Sequence, residues 1–248
     1  LRRPVQGIRL LNGNTLIVDQ GNHRVFEVNH LDKIVWQYGI TSTVGCSENK
    51  LYSPSYVQRL ANGNTLITDT DNHRVIEIDS DDQIVWQYGN VKNKLGSGYG
   101  EGRDQLNAPM FASRLENNNV LIVDTGNFRV LEVNPEKQVV WHFSTEVSKG
   151  SPINISPIKA YRIRYGHTVI VSHEQIIEID QNGNLIYIRQ IEYLAKASNF
   201  KEASFPGEEN KVISDLVARK GNEKAKVASD NYMKTVSNLS EIQVPLID

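Results

Sequence analysis

One cysteine, two methionines and no apolar stretch near the roughly 18 residues of a membrane helix are the first scarcities in these 248 residues. The lone Cys46 rules out an intramolecular disulfide and any zinc site made of cysteines. Charge of one sign is missing too: 27 Lys and Arg stand against 29 Asp and Glu, a formal net charge of −2. Nucleic acid and anionic lipid select strongly basic surfaces, so neither nucleic-acid binding nor membrane insertion is expected. Catalytic motifs are as scarce. The chain holds no glycine-rich phosphate loop opening a helix, no nucleophile elbow and no His-Glu-x-x-His pair, and no cofactor is implied. With 39% hydrophobic residues, the composition is that of a soluble globular chain, long enough for one all-β domain with an appendage. Leu1 in first place, with no signal-type segment behind it, is expected of a processed or trimmed chain. The compartment stays open, with a lean to extracytoplasmic.

What the chain does have is self-similarity. Leu10-Leu11-Asn12-Gly13-Asn14-Thr15-Leu16-Ile17-Val18-Asp19 returns as Leu60-Ala61-Asn62-Gly63-Asn64-Thr65-Leu66-Ile67-Thr68-Asp69, and again, altered, over Leu115 to Asp124. A fourth copy survives as a pattern over Tyr165 to Ser172. Pro4, Pro54, Pro109 and Pro157 each precede an arginine by five residues (Arg9, Arg59, Arg114, Arg162) and set the register. Spacings near 50 residues are those of solenoids, propellers and arrays.

Within a copy the periodicity reads as four strands. Val5 to Leu10 leads into Asn12-Gly13, read as a two-residue hairpin turn. Asn14 to Asp19 and Arg24 to Val28 alternate with period two, and Lys33 to Gly39 supplies a fourth strand. Four strands per repeat of this length make the blade of a β-propeller. The expected fold is therefore all-β, with antiparallel four-stranded blades at about 1–39, 51–89, 106–143 and 157–190. Trp36, Trp86, Trp141 and Tyr187 recur once per blade and read as wedges between neighbouring sheets. After about residue 190 the pattern changes. Residues 191–248 read as helical from the stripe Val212, Ile213, Leu216 and Val217, although Pro206 lies in register for a degenerate fifth blade.

The loops between second and third strands read Asp19-Gln20-Gly21-Asn22-His23-Arg24, Asp69-Thr70-Asp71-Asn72-His73-Arg74 and Asp124-Thr125-Gly126-Asn127-Phe128-Arg129. With Leu51-Tyr52-Ser53-Pro54 and Leu106-Asn107-Ala108-Pro109 ahead of first strands, this resembles the NHL repeat over residues 1 to about 190. The fourth copy departs from it at Ser172-His173-Glu174-Gln175. The resemblance implies a propeller, usually six-bladed and closed by strands from both chain ends. It also implies partners that are proteins or RNA, of which the charge balance disfavours RNA. Four visible repeats leave a smaller ring, a part of a larger one, or completion by another chain.

Candidate residues fall into three groups. Long connections at 40–53, 90–108 and 144–156 share one face with the short loops at 20–23, 70–73 and 125–128, and variable loops on a rigid scaffold are where binding concentrates. Asn22, His23, Asn72, His73, Asn127, Phe128, Tyr99 and Arg103 are the loop-face candidates. The paired histidines read more readily as packing against the next blade than as metal ligands, since the third copy has Phe128. No metal site and no catalytic set is expected. Asp19 with Arg24, Asp69 with Arg74 and Asp124 with Arg129 read as a scaffold device. Arg9, Arg59, Arg114 and Arg162, late in each innermost strand, either ring the axial channel and bind a small anion or pair with a blade carboxylate from Glu27, Glu77, Glu132 and Glu178. The leading function is a non-catalytic module that binds protein or assembles with itself. The alternative is a propeller-type enzyme (lyase, lactonase-like or arylsulfotransferase-like) on a small anionic substrate, for which Tyr99, Glu101, Arg103, Asp104 and His142 would have to converge.

Overall fold

A computed structural model describes residues 1–89, 100–145, 153 and 155–191. Helix or fifth blade, the C-terminal reading falls outside the described residues. Blade 1 consists of β1 (Pro4–Arg9), β2 (Thr15–Asp19), β3 (Arg24–Val28) and β4 (Ile34–Tyr38). Blade 2 holds β5 (Tyr56–Arg59), β6 (Thr65–Asp69), β7 (Arg74–Ile78) and β8 (Ile84–Tyr88). Blade 3 holds β9 (Phe111–Arg114), β10 (Val120–Asp124), β11 (Arg129–Val133) and β12 (Val139–Ser144). Blade 4 holds β13 (Lys159–Arg162), β14 (Thr168–Val171), β15 (Gln175–Ile179) and β16 (Leu185–Gln190). Each sheet is an antiparallel meander in chain order. The protein is an all-β propeller fold.

Two local details differ from the sequence reading. The Asn12-Gly13 hairpin is not a two-residue turn. The Gly13 amide donates to the Leu10 carbonyl and the Leu10 amide to the Asn14 carbonyl, so three residues turn the chain. The Asn12 side chain accepts from the Asn14 amide, which leaves only Gly13 at positive φ. In blade 3 Asn118 takes that left-handed place. The second detail is a bulge between the third and fourth strands of all four blades, immediately after Glu27, Glu77, Glu132 and Glu178. It skips Val35, Val85, Val140 and Ile186, which lie exposed, and so sets Trp36, Trp86, Trp141 and Tyr187 directly opposite the glutamates.

Packing occurs between blades, in three apolar clusters. Leu16, Val18, Val25 and Tyr38 of blade 1 meet Val57, Ile67, Ile76 and Ile78 of blade 2, with Trp36 wedged at the edge. Equivalent clusters join blade 2 to blade 3 around Trp86 and blade 3 to blade 4 around Trp141. The consequence shows in the burial pattern. Strands β6, β7 and β10 are buried at every residue, both faces covered. Strands β14 and β15 alternate between buried and half-exposed residues, and β2 does so in part. Among the described residues, blades 1 and 4 each keep one face without a neighbour.

Candidate functional site

The loop between second and third strands is built the same way three times. Asp19, Asp69 and Asp124 end their strands fully buried, ahead of the 3-10 turns Gln20–Asn22, Thr70–Asn72 and Thr125–Asn127. One carboxyl oxygen accepts the backbone amide of Arg2, Tyr52 or Asn107 from the preceding link. The other accepts the Asn22, Asn72 or Asn127 side-chain amide and the Nε of Arg24, Arg74 or Arg129 at 2.9, 2.7 and 2.7 Å. Burial works to raise the Asp19 carboxyl, but its bonds to the Arg2 amide, Asn22 and Arg24 outweigh this and hold it low. At the fully buried Asp69, desolvation wins and pushes the carboxyl up.

The loop histidines have a defined task. His23 and His73 sit in the left-handed region, and each Nδ1 accepts a backbone amide from the next blade's entry, Ser53 at 3.1 Å and Ala108 at 3.0 Å. An accepting Nδ1 requires the neutral ring with its proton on Nε2. Desolvation favours that form and lowers both histidines below the usual range. Phe128 holds the same left-handed place in blade 3. Asn22, His23, Asn72, His73 and Asn127 thus all serve the scaffold in part, and Tyr99 lies outside the described residues. Among the described residues no three His, Cys, Asp or Glu side chains come together as a metal site.

The arginines ending β5, β9 and β13 lock blades together. Arg59 Nη2 meets Glu27 Oε2 at 2.8 Å, Arg114 meets Glu77, and Arg162 meets Glu132 at 2.5 Å. Each partner belongs to the preceding blade, not to the arginine's own, as the sequence reading of that alternative had it. The reason is geometric: the glutamate's Oε1 is already held within its own blade by Asn14, Asn64 or Asn119, so Oε2 points to the neighbour. Each guanidinium also lies over the preceding blade's tryptophan, Trp36, Trp86 or Trp141, at 4.7, 5.6 and 4.6 Å. Their Nη1 atoms donate to the turn carbonyls of Gly63, Asn118 and Gly166. Arg9 makes the same turn contact, to Gly13, and no other bond or ion pair among the described residues.

Blade 3 departs from this regularity at one place. A groove of about 620 Å³ runs between Tyr88 of blade 2 and the outer strand β12, lined by Glu101, Arg103, Lys137, Val139 and His142. Equivalent side-chain bonds align the two links: Arg74 Nη1 donates to the Cys46 carbonyl as Arg129 Nη1 does to that of Glu101. In that register Arg103 stands where the earlier link has Glu48, Lys137 where blade 2 has Asp82, and His142 where blade 2 has Gln87. Two acidic positions, Glu48 and Asp82, thus become basic, while Glu101 stands where the earlier link has Cys46. Arg103 and His142 were legible in the sequence as irregular residues. Lys137 was missed, though reversal of charge at a repeat position was the available signal. Asp104 turns away to accept the Gly89 amide.

No family model and no curated protein sequence matches the chain. Solved structures do. A streptogramin B lyase aligns with a TM-score of 0.54 at 12% identity over 77% of this chain and 56% of its own. Virginiamycin B lyase from Staphylococcus aureus gives 0.52 at 13% identity over 77% and 57%. The WD40 β-propeller domain of Doa1 gives 0.50 at 7% identity over 74% and 52%. The likeness is one of fold. The chain spans little more than half the length of these structures.

Proposed function

We propose that the chain is an NHL-type propeller module that binds protein, working as a scaffold and not as a catalyst. One observation carries this: among the described residues, blades 2 and 3 have a neighbouring blade on both faces, while blades 1 and 4 each have an apolar sheet face with no blade beside it. On blade 1 that face includes Ile34, 50% exposed, with Ile17 and Val28 half-buried and Phe26 between them buried; on blade 4 it includes Tyr187, 48% exposed, with Val169, Val171 and Ile176 half-buried. Large exposed apolar faces bounded by sheet edges are places for another polypeptide. The regular use of loop asparagines, histidines and arginines in the scaffold supports the same reading. Its test is a photoreactive amino acid placed at residue 34, at residue 187 and, as control, at the exposed turn residue Leu11. Protein adducts at 34 and 187 well above those at 11 are expected; equal labelling at all three would sink the proposal.

A second reading rests on the groove at Arg103, Lys137 and His142. Two cations and an imidazole ring beside Glu101 suit a small anionic ligand, the substrate class of the enzyme alternative. Phosphate titration followed by His142 ring NMR signals tests it: saturable shifts lost in Arg103→Ala favour the reading, and their absence removes it.

A further inference from the structure

The two free faces are not merely apolar; each is one half of an interface that the chain makes three times. At every internal junction the preceding blade offers a glutamate Oε2 and, directly opposite it across the bulged strand pair, a large aromatic ring. The following blade inserts the arginine that ends its innermost strand. Blade 4 ends with the offering half. Glu178 Oε1 is held at 2.7 Å by Nδ1 of His167, the residue standing where the other blades have Asn14, Asn64 and Asn119. Its Oε2 has no partner among the described residues, and Tyr187 lies opposite it in register where the tryptophans lie. Blade 1 begins with the inserting half: Arg9 is fixed to its own turn through Nη1, as its three counterparts are, and Nη2 is left over.

We infer that the free face of blade 4 in one copy docks on the free face of blade 1 in a second copy, with the Arg9 guanidinium seated on Glu178 and Tyr187. This rests on the protein-binding reading and deepens it by naming the partner. Charge complementarity selects the arrangement. Blade 1 on blade 1 would oppose two arginines, and blade 4 on blade 4 two glutamates, so only head-to-tail contact satisfies both ends. The apolar residues match as well. Ile17, Phe26, Val28 and Ile34 take the positions of Ile67, Ile76, Ile78 and Ile84, which at the first junction pack on blade 1; of the four, Phe26 is already buried within the single chain. Val169 and Ile176 take those of Leu16 and Val25 on the other side of the same junction. Head-to-tail contacts either close or run on as a filament. Two copies can make both contacts at once, and the described residues then contribute eight blades, inside the usual range of about four to eight.

The experiment is light scattering on the full chain, with Arg9→Glu and Glu178→Arg studied singly and mixed. The unmodified chain should have the mass of two chains. Each variant alone opposes like charges at both contacts and should dissociate, its dissociation constant rising by roughly tenfold or more. Mixed in equal amounts, the variants restore one native pair and one reversed pair, and the two-chain mass should return. Unfolding midpoints of the variants, matched to that of the dissociated parent, separate lost docking from lost folding. A one-chain mass for the parent at all concentrations overturns the inference, as does a two-chain mass indifferent to both reversals. The photoreactive group at residue 187 keeps the two levels apart. Adducts to the β1 segment of another copy support the inference, adducts only to a different protein refute it and leave the binding function standing, and no protein adducts refute both.

Discussion

Replacing Arg74 by methionine should be among the most damaging single changes in the described residues. The Arg74 side chain is 2% exposed and gathers four acceptors: Asp69 at 2.7 Å, the Cys46 carbonyl at 2.9 Å, the Lys50 carbonyl at 3.2 Å and Gln87 at 3.3 Å. Methionine keeps much of the aliphatic volume and removes every donor. The Asp69 carboxylate then stays fully buried, held only by the Tyr52 amide and Asn72. Removing one partner of a buried pair costs about 3–5 kcal/mol, because the remaining charge is uncompensated. Arg24→Met in blade 1 makes an internal control. Its side chain is 14% exposed and, although Asp19 is buried, Gln37 and Thr41 are reachable by water and the gap left by the guanidinium opens to solvent, so a smaller cost of about 1–2 kcal/mol is expected. Asp69→Asn combined with Arg74→Met discharges the buried group while keeping an oxygen for the Tyr52 amide, and should recover a good part of the loss. Urea unfolding followed by tryptophan fluorescence and by far-ultraviolet circular dichroism measures all four chains. The reasoning fails if Arg74→Met costs no more than Arg24→Met, or if the double variant is no more stable than Arg74→Met alone.

Acid should loosen the first and second blade junctions through their histidines. His23 and His73 accept through Nδ1 and are lowered by desolvation, with Arg2, Asp71, Asp69 and Asp124 as the charged groups around them. A folded-state value below the unfolded one means full stability above about pH 6.5, loss as pH falls from there to the folded value, and no further loss from these groups below it. His23→Phe with His73→Phe, borrowing the residue of blade 3, should flatten that slope in a pH series of thermal midpoints; an unchanged slope would assign it to other groups. Gly39→Ala should cost about 3 kcal/mol, since φ is +95° and the new Cβ would lie 2.5 Å from the His23 carbonyl oxygen and 2.9 Å from Arg24 Cα. Gly7→Ala, where a Cβ meets nothing within 4 Å of the same chain and φ is not in the left-handed region, should cost nothing and gain up to about 1 kcal/mol from a stiffer unfolded chain. Equal midpoints for the two would disprove the steric account.

The blades were legible because period-two alternation and four in-register copies leave little else for the chain to form. The aspartate–arginine pairs and the wedge tryptophans were legible for the same reason: a side chain that recurs at one repeat position answers a need of the repeat. The arginines at the ends of the innermost strands show the limit. Sequence supplied both members of each pair, Arg59 and Glu27 included, yet not which blade donates which. That choice depends on the bulge after the glutamate and on Asn14 occupying its first oxygen, and a one-residue insertion in strand pairing leaves no periodic trace that survives an exposed Val35.

The same logic says where function is to be sought. A residue that obeys the repeat is accounted for by the blade, so binding is to be read from departures and from ends. Arg103, Lys137 and His142 are departures, three positions at which blade 3 exchanges acid or amide for base. Arg9 and Glu178 obey the repeat and yet, among the described residues, lack the partner it supplies elsewhere, which makes them ends. The two kinds differ in what they ask of a ligand. A departure can be satisfied by a small anion, because a few side chains around a groove are enough to hold one. An end is matched, under the docking inference, by a sheet face bearing an arginine or a glutamate at one fixed position, which a second blade has to offer.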